Sequence, residues 1–269
     1  MQYDPVKNIF GKLVRGRPWL RRLLYRVLGV LFLREWYVKR ALRGLLHART
    51  DRIEIYDAGM GFGQYTYYLA RRFPHAHLLA VDVKAEQIED CRQFFAEMGL
   101  RQCSFAVEDL LAIQHENRFD LVLSVDVMEH IEDDRRVLRN LARALKPGGV
   151  LLVNTPSNLG GSDVHEEDGR SFIEEHARAG YGVEELREKL ESVGLRVESV
   201  TFTYGPLGSL AWRLGVKYPM LLLNKSKLLL LVLPFYYLLT LPFILPLMYF
   251  DYASRNRTGT GLLVVARKL

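Results

Sequence analysis

Between positions 52 and 156 the chain alternates between two spacings of apolar residues. Short runs rich in β-branched and aromatic side chains at 52–58, 77–83, 103–108, 120–127 and 150–154 read as strands. The segments 63–73, 85–98 and 133–145 carry apolar residues at helical spacing, the last one stopped by Lys146-Pro147-Gly148-Gly149. A further helical stretch, 183–192, leads to a sixth strand at 196–203, and 261–266 is a strand that closes the chain. Strands separated by helices of this length imply right-handed βαβ crossovers and a parallel sheet with helices on both faces. Two regions break the rhythm: the arginine-rich segment before position 50, and a long apolar stretch between the sixth strand and the last.

Composition narrows this picture only in places. Hydrophobic residues make up 49% of the 269, enough for a sizeable core and too many for a disordered chain. The positive charge is uneven. Residues 1–50 hold twelve lysines and arginines against two acids, and the rest of the chain 25 against 29. Two cysteines, Cys91 and Cys103, exclude a disulfide framework or a cysteine-rich metal site and fit a reducing compartment. No cleavable leader and no internal repeat are expected from the pattern.

The turn after the first strand reads Asp57-Ala58-Gly59-Met60-Gly61-Phe62-Gly63. Glycines here permit a tight turn and close approach of a ligand at a helix N-terminus. A dinucleotide fingerprint would place its third glycine where Gln64 stands. The spacing, with an acid two residues ahead, resembles the first motif of the class I S-adenosylmethionine-dependent methyltransferases, and more narrowly the ubiquinone-type members. The resemblance covers about 50–205 and the last strand. It implies a Rossmann-like, seven-stranded, mostly parallel sheet with an antiparallel last strand, and S-adenosylmethionine as cofactor. It also implies loop contacts from Gly59, Gly61 and Gly63, with Asp57 meeting the methionine ammonium. Asp82, at the end of the second strand, would take the ribose hydroxyls, and Val83 after it is a further cofactor-binding candidate. Glu108 and Asp109, after the third, would take the adenine side, and Ser124 lies on the fourth. Asp109 could also cap a short turn.

Methyl transfer from a sulfonium needs alignment and a dry site, and a base only where the acceptor must lose a proton. Asp126-Val127-Met128-Glu129-His130 resembles the E-V-x-E-H stretch of ubiquinone-type O-methyltransferases and of some small-RNA 2′-O-methyltransferases. In some of these the acids and histidine hold a divalent cation. The expectation here is a helix start beside the donor, without a metal. His130 and His176 are the candidate bases, and His165 a weaker one. The Asn/Asp-Pro-Pro-Tyr/Phe motif of nucleobase amino-methyltransferases is absent after the fourth strand, so DNA is not an expected partner; RNA is not excluded.

The stretch 228–250 has no charged residue. As a straight helix it would extend roughly 35 Å, enough for one crossing. Pro234, Pro242 and Pro246 are expected to break or kink it, and both flanks are basic. A single crossing would also put the sixth and last strands on opposite sides of a bilayer, although they belong to one sheet. The expected arrangement is therefore a re-entrant or interfacial segment, with a buried lid as the alternative. Positions 12–49 read as a basic amphipathic helix suited to an anionic membrane surface or to capping the donor site. The expected domains are 1–49 (cap or membrane-surface segment), 50–205 (donor-binding core), 206–258 (apolar insertion) and 259–269 (last strand). The expected function is methylation of a lipophilic acceptor, a quinone or isoprenoid precursor or a lipid, at an oxygen, on the cytoplasmic side of the cell membrane. An RNA or protein acceptor, or a donor-binding scaffold without turnover, are the alternatives.

Overall fold

The computed structural model describes residues 16–160, 177–225 and 231–269. Two helices open it, α1 (Pro18–Leu31) and α2 (Leu33–Leu46). The continuous helix expected at 12–49 is instead broken at Phe32, whose extended backbone (φ −103°, ψ 106°) lets the chain turn; the part before 16 lies outside the described residues. The core then runs β1 (Ile53–Ala58), α3 (Gln64–Arg72), β2 (Ala76–Asp82), α4 (Ala85–Glu97), β3 (Cys103–Val107), β4 (Phe119–Val125), α5 (Asp134–Ala144), β5 (Leu145–Pro156), α6 (Val183–Glu191) and β6 (Leu195–Thr203). It ends with α7 (Pro206–Trp212), α8 (Tyr218–Lys225), α9 (Leu233–Ala253) and β7 (Gly261–Lys268).

The seven strands form one sheet in the order β3-β2-β1-β4-β5-β7-β6. β1 through β5 pair in parallel, and β7 runs antiparallel to both of its neighbours. β5 begins earlier than expected: Leu145 already pairs with Phe119, and the Lys146–Gly149 turn is absorbed as an irregularity before Val150 pairs with Leu121. Alternation along the strands divides the core in two. Ile55, Leu78, Leu121, Leu152 and Val265 face α2, α3 and α4. Tyr56, Val122, Leu151 and Val264 face α5 and α6.

Helix α9 is continuous over 21 residues, although proline-broken geometry was expected. Pro234 sits in the first turn, where no intrahelical donor is needed. Pro242 and Pro246 lie inside, and each removes one backbone bond without ending the helix. Its far end is fastened at Asp251, a buried carboxylate. The Tyr37 hydroxyl of α2 lies 2.9 Å from Asp251 Oδ1, the Gly208 amide donates to Oδ2 at 2.9 Å, and Asn256 Nδ2 donates to Oδ1 at 3.1 Å. Arg40 stacks over the Tyr252 ring, 4.1 Å from its centroid, and donates to the Tyr252 carbonyl. Asp251→Ala would take the acceptor from the buried Gly208 amide and one of the acceptors from each of Tyr37 and Asn256. A loss of about 2–4 kcal/mol in chemical denaturation is expected.

Candidate active site

The glycine turn lies at the carboxyl edge of the sheet, between β1 and α3. All three glycines adopt the left-handed region, with φ of 81°, 54° and 75° for Gly59, Gly61 and Gly63. A side chain on Gly59 would collide with Val127, in the segment after β4. On Gly61 it would project into open space, so that position leaves room for a ligand against the backbone. The Gly59 and Met60 amides both bond to the Val81 carbonyl at 2.9 Å. The Gly61 amide donates to Asp82 Oδ2 at 3.1 Å, and the Lys84 amide to Oδ1 at 3.0 Å. Each Asp82 oxygen thus takes one amide and keeps a second lone pair, a geometry able to accept two adjacent hydroxyls.

Asp57 is buried beneath this turn and accepts from Thr66 Oγ1 at 2.5 Å. Desolvation pushes its carboxyl up to about 6; the Thr66 bond opposes this and nearby Asp82 adds to it. Val83 is 61% exposed, an apolar surface next to Asp82. The two acids after β3 part company. Glu108 is turned to the Tyr56 hydroxyl (2.7 Å) and to His115 Nε2 (3.1 Å). Asp109 is exposed, and its Oδ1 accepts the Leu111 amide at 2.9 Å, so it does cap a short turn. Ser124 is buried near the end of β4, and its hydroxyl makes no hydrogen bond to the described residues.

After β4 the chain passes through Asp126 in a left-handed conformation (φ 52°) and a short 3-10 turn, Met128–His130. Asp126 Oδ1 accepts from Asn154 Nδ2 at 2.8 Å, and its other oxygen is ion-paired with Arg34. Glu129 is buried, with Thr155 Oγ1 3.3 Å from its Oε2. Its carbonyl receives the Ala177 amide at 2.8 Å. Asp126 and Glu129 therefore face different partners. Among the described residues no three His, Cys, Asp or Glu side chains gather as a metal-binding group. His130 is half-buried in the turn. His176 and His165 lie outside the described residues.

Residues absent from the sequence-based candidates complete the site. Arg34 reaches Asp126 from the first turn of α2, and its backbone amide donates to the Tyr204 hydroxyl at 3.1 Å. Burial opposes the charge on Arg34, but Tyr65, Tyr204 and Glu35 favour it more, and its pKa is raised. This polar group sits where β4, β5 and β6 end, beside the glycine turn. In sequence Arg34 is one of nine arginines in the first fifty residues, and nothing in its neighbours marks it out.

The sequence profile of the methyltransferase domain family matches residues 55–149. Trans-aconitate 2-methyltransferase of Azoarcus sp. is 36% identical over 122 residues, 44% of this chain and 46% of that protein. Ubiquinone biosynthesis O-methyltransferase of Xylella fastidiosa is 36% identical over 104 residues, 38% of this chain and 41% of that one. The chain thus spans less than half the length of these curated relatives. Phosphoethanolamine N-methyltransferase 2 of Haemonchus contortus, solved with S-adenosyl-L-methionine, superposes with a TM-score of 0.64 at 19% identity, over 96% of this chain and 60% of that one. Sheet order, glycine turn and profile agree on an S-adenosylmethionine-dependent methyltransferase domain, which the profile match places at 55–149. The open space at Gly61 and the two-oxygen acceptor at Asp82 fit that cofactor.

Two expectations follow from this geometry. Asp82→Ala is expected to weaken S-adenosylhomocysteine binding by about ten- to a hundredfold in calorimetry, the loss of charge-assisted bonds. Asp57 must be ionised to attract an ammonium, and its carboxyl protonates near 6. Donor affinity is therefore expected to fall as pH drops through about 6. Binding near that pH should release a proton, and Asp57→Asn should flatten the profile.

Proposed function

We propose that this chain transfers a methyl group from S-adenosylmethionine to a lipophilic acceptor drawn from the cytoplasmic leaflet of a membrane. The acceptor class is a quinone or isoprenoid precursor or a lipid, with an oxygen as the accepting atom. The observation that carries this reading is the surface of α9. Only Ile244, Met248 and Asp251 are buried on it, while Phe235, Leu238, Leu239 and Phe243 are each about 70% exposed (69%, 72%, 71% and 68%). Leu207, Leu210, Tyr218 and Leu221 add exposed apolar surface on α7 and α8. A patch of this kind is costly in water and is expected where lipid covers it. By length and composition α9 could cross a membrane. Its surroundings favour shallow immersion instead. Thr260 donates to the Tyr204 carbonyl at 3.0 Å, so the excursion starts and ends at one point of the sheet. Arg213 and Lys217 stand on one flank, Arg255 and Arg257 on the other. Both flanks therefore favour the same anionic leaflet. In this reading 206–258 is the membrane-associated unit, 50–205 with 259–269 the catalytic core, and 1–49 a cap that also meets the surface.

The site residues divide accordingly. Gly59, Gly61 and Gly63 shape the donor loop, and Asp57 faces the methionine ammonium. Asp82 takes the ribose hydroxyls, with Val83 against the adenine face and Asp109 at its amino group. Glu108 braces Tyr56 and His115, and Ser124 lies beneath the donor. Bound there, S-adenosylmethionine supplies an already activated methyl group. The protein's share is alignment and exclusion of water. Arg34 and Asp126 close the α2 side of the pocket. His130, with His176 as the other candidate, takes the proton of an acceptor hydroxyl.

The chain is expected to float with phosphatidylglycerol-containing vesicles, and Phe235→Ser, Leu239→Ser, Phe243→Ser combined to reduce flotation at least about tenfold. Lipid extracts of cells lacking the chain are expected to accumulate a species one methyl group lighter. Failure to float, together with salt-dependent RNA binding, would replace the lipophilic acceptor with RNA.

A further inference from the structure

Helix α1 packs inward through Arg21 and Tyr25, with Leu20, Leu24, Leu28 and Leu31 half-buried, and carries a second apolar edge that faces outward. Trp19, Leu23, Val27 and Val30, spaced four, four and three residues apart, are exposed along one edge, Trp19 to 65%. Arg22 and Arg26 are exposed beside them. Apolar side chains outward, flanked by arginines, match an anionic lipid surface in both polarity and charge.

The inner edge converges on one atom of the donor loop. Arg21 Nη2 donates to the Phe62 carbonyl at 2.8 Å, and the Tyr25 hydroxyl to the same carbonyl at 2.5 Å. Phe62 lies between Gly61 and Gly63, so this carbonyl belongs to the turn whose next amide toward Asp82 is that of Gly61. Arg21 is itself held from α4, by Asp90 Oδ2 at 2.8 Å, by the Asp90 carbonyl at 3.1 Å and by Cys91 Sγ at 2.8 Å. Burying a guanidinium is an expensive way to fasten a helix, and apolar side chains would do it at lower cost. What the guanidinium adds is a defined position for the Phe62 carbonyl.

The attachment of α1 is narrow. The break at Phe32 separates it from α2, which is anchored by Leu33, Tyr37, Val38, Leu42 and Leu46. Trp36 Nε1 of α2 donates to the Gly29 carbonyl of α1 at 2.8 Å. The same α2 holds the end of α9 through Tyr37 and Arg40. Both outward apolar surfaces therefore hang from one buried helix. A bilayer that receives α9 meets α1 at high effective concentration.

We propose that α1 couples donor binding to membrane docking: its outer edge enters anionic lipid while its inner edge, through Arg21 and Tyr25, holds the glycine loop in its donor-binding shape. This rests on the reading above, in which the chain binds S-adenosylmethionine and sits on a bilayer. Arg21 and Tyr25 are positioning residues. Lipid that orders α1 removes part of the ordering cost that donor binding otherwise meets, and linkage makes the effect mutual.

The test is calorimetric titration of the full chain with S-adenosylhomocysteine, with and without vesicles of phosphatidylglycerol and phosphatidylcholine. Vesicles are expected to tighten binding at least about fivefold, and S-adenosylhomocysteine to raise vesicle partitioning by the same factor. The combined Trp19→Ser, Leu23→Ser, Val27→Ser variant is expected to keep the solution affinity, still float through α9, and lose the gain. Arg21→Lys with Tyr25→Phe is expected to weaken solution binding and raise the donor KM more than it lowers kcat. If the chain floats but affinity is the same with and without vesicles, or if the serine variant keeps the gain, the coupling is overturned and membrane docking stands. If the chain binds S-adenosylhomocysteine but not vesicles, docking and coupling both fail. If it binds no S-adenosylhomocysteine under any condition, the donor site itself fails.

Discussion

Strand β7 is hydrogen-bonded along both edges, to β5 from Val150↔Arg267 to Pro156↔Gly261 and to β6 from Leu195↔Lys268 to Thr203↔Gly261. Whatever the chain does after Thr203, it must return to Gly261 beside that residue. This pairing constrains the whole C-terminal region. It turns 57 residues that include the most apolar of the described helices into a closed excursion with adjoining feet. Tyr204, left-handed at φ 52°, makes the exit turn, and its carbonyl accepts both the Thr260 amide and the Ser209 hydroxyl. Asp251 then binds the far end of α9 back to α2 and α7. The excursion is fastened at its stem, and most of α9 is left exposed.

The same sheet edge organises the chemistry. The glycine turn and Asp82 end β1 and β2, and Asp126 and Asn154 end β4 and β5. The N-terminal helices cross this edge and contribute side chains to it, Arg21 and Tyr25 toward the donor loop and Arg34 toward Asp126. A basic leading segment on such a fold could serve only as an adhesive surface. Here Arg21 is buried against Asp90 and Arg34 half-buried against Asp126, while their neighbours Arg22 and Arg26 stay in solvent. The segment therefore divides its cations between internal pairing and the exterior.

The parts of this arrangement that were legible in the sequence are the local ones. The glycine turn, Asp82 and the alternation of strands and helices each occupy a few adjacent positions, so period and turn chemistry expose them. The apolar stretch was legible as composition, and its return to the sheet followed from the closing strand. The illegible parts depend on distant partners. Arg21 meets Asp90, 69 positions away, and Arg34 meets Tyr204, 170 positions away. Neither differs in type or spacing from the arginines around it. Proline content overstated the break in α9, because one proline lies in the first turn and the others are carried by a helix whose buried edge is fixed by Ile244, Met248 and Asp251. The split at Phe32 is poorly announced, since the nearest glycine, Gly29, still lies inside α1 and no proline is near. The Glu108-Asp109 pair was read as one feature, yet just past the end of β3 the two carboxylates meet different partners, Tyr56 and His115 for one and the Leu111 amide for the other.

The proposed membrane contact requires that the greasy excursion dip into a bilayer and come back on the side it left. Tags placed at the two chain ends, probed with protease in sealed inside-out vesicles, test it most directly. Both tags are expected to be cleaved without detergent, since a shallow excursion would leave both ends on one side. A C-terminal tag protected until detergent is added, with the N-terminal tag cleaved, would contradict the account, because β7 could not then lie between β5 and β6.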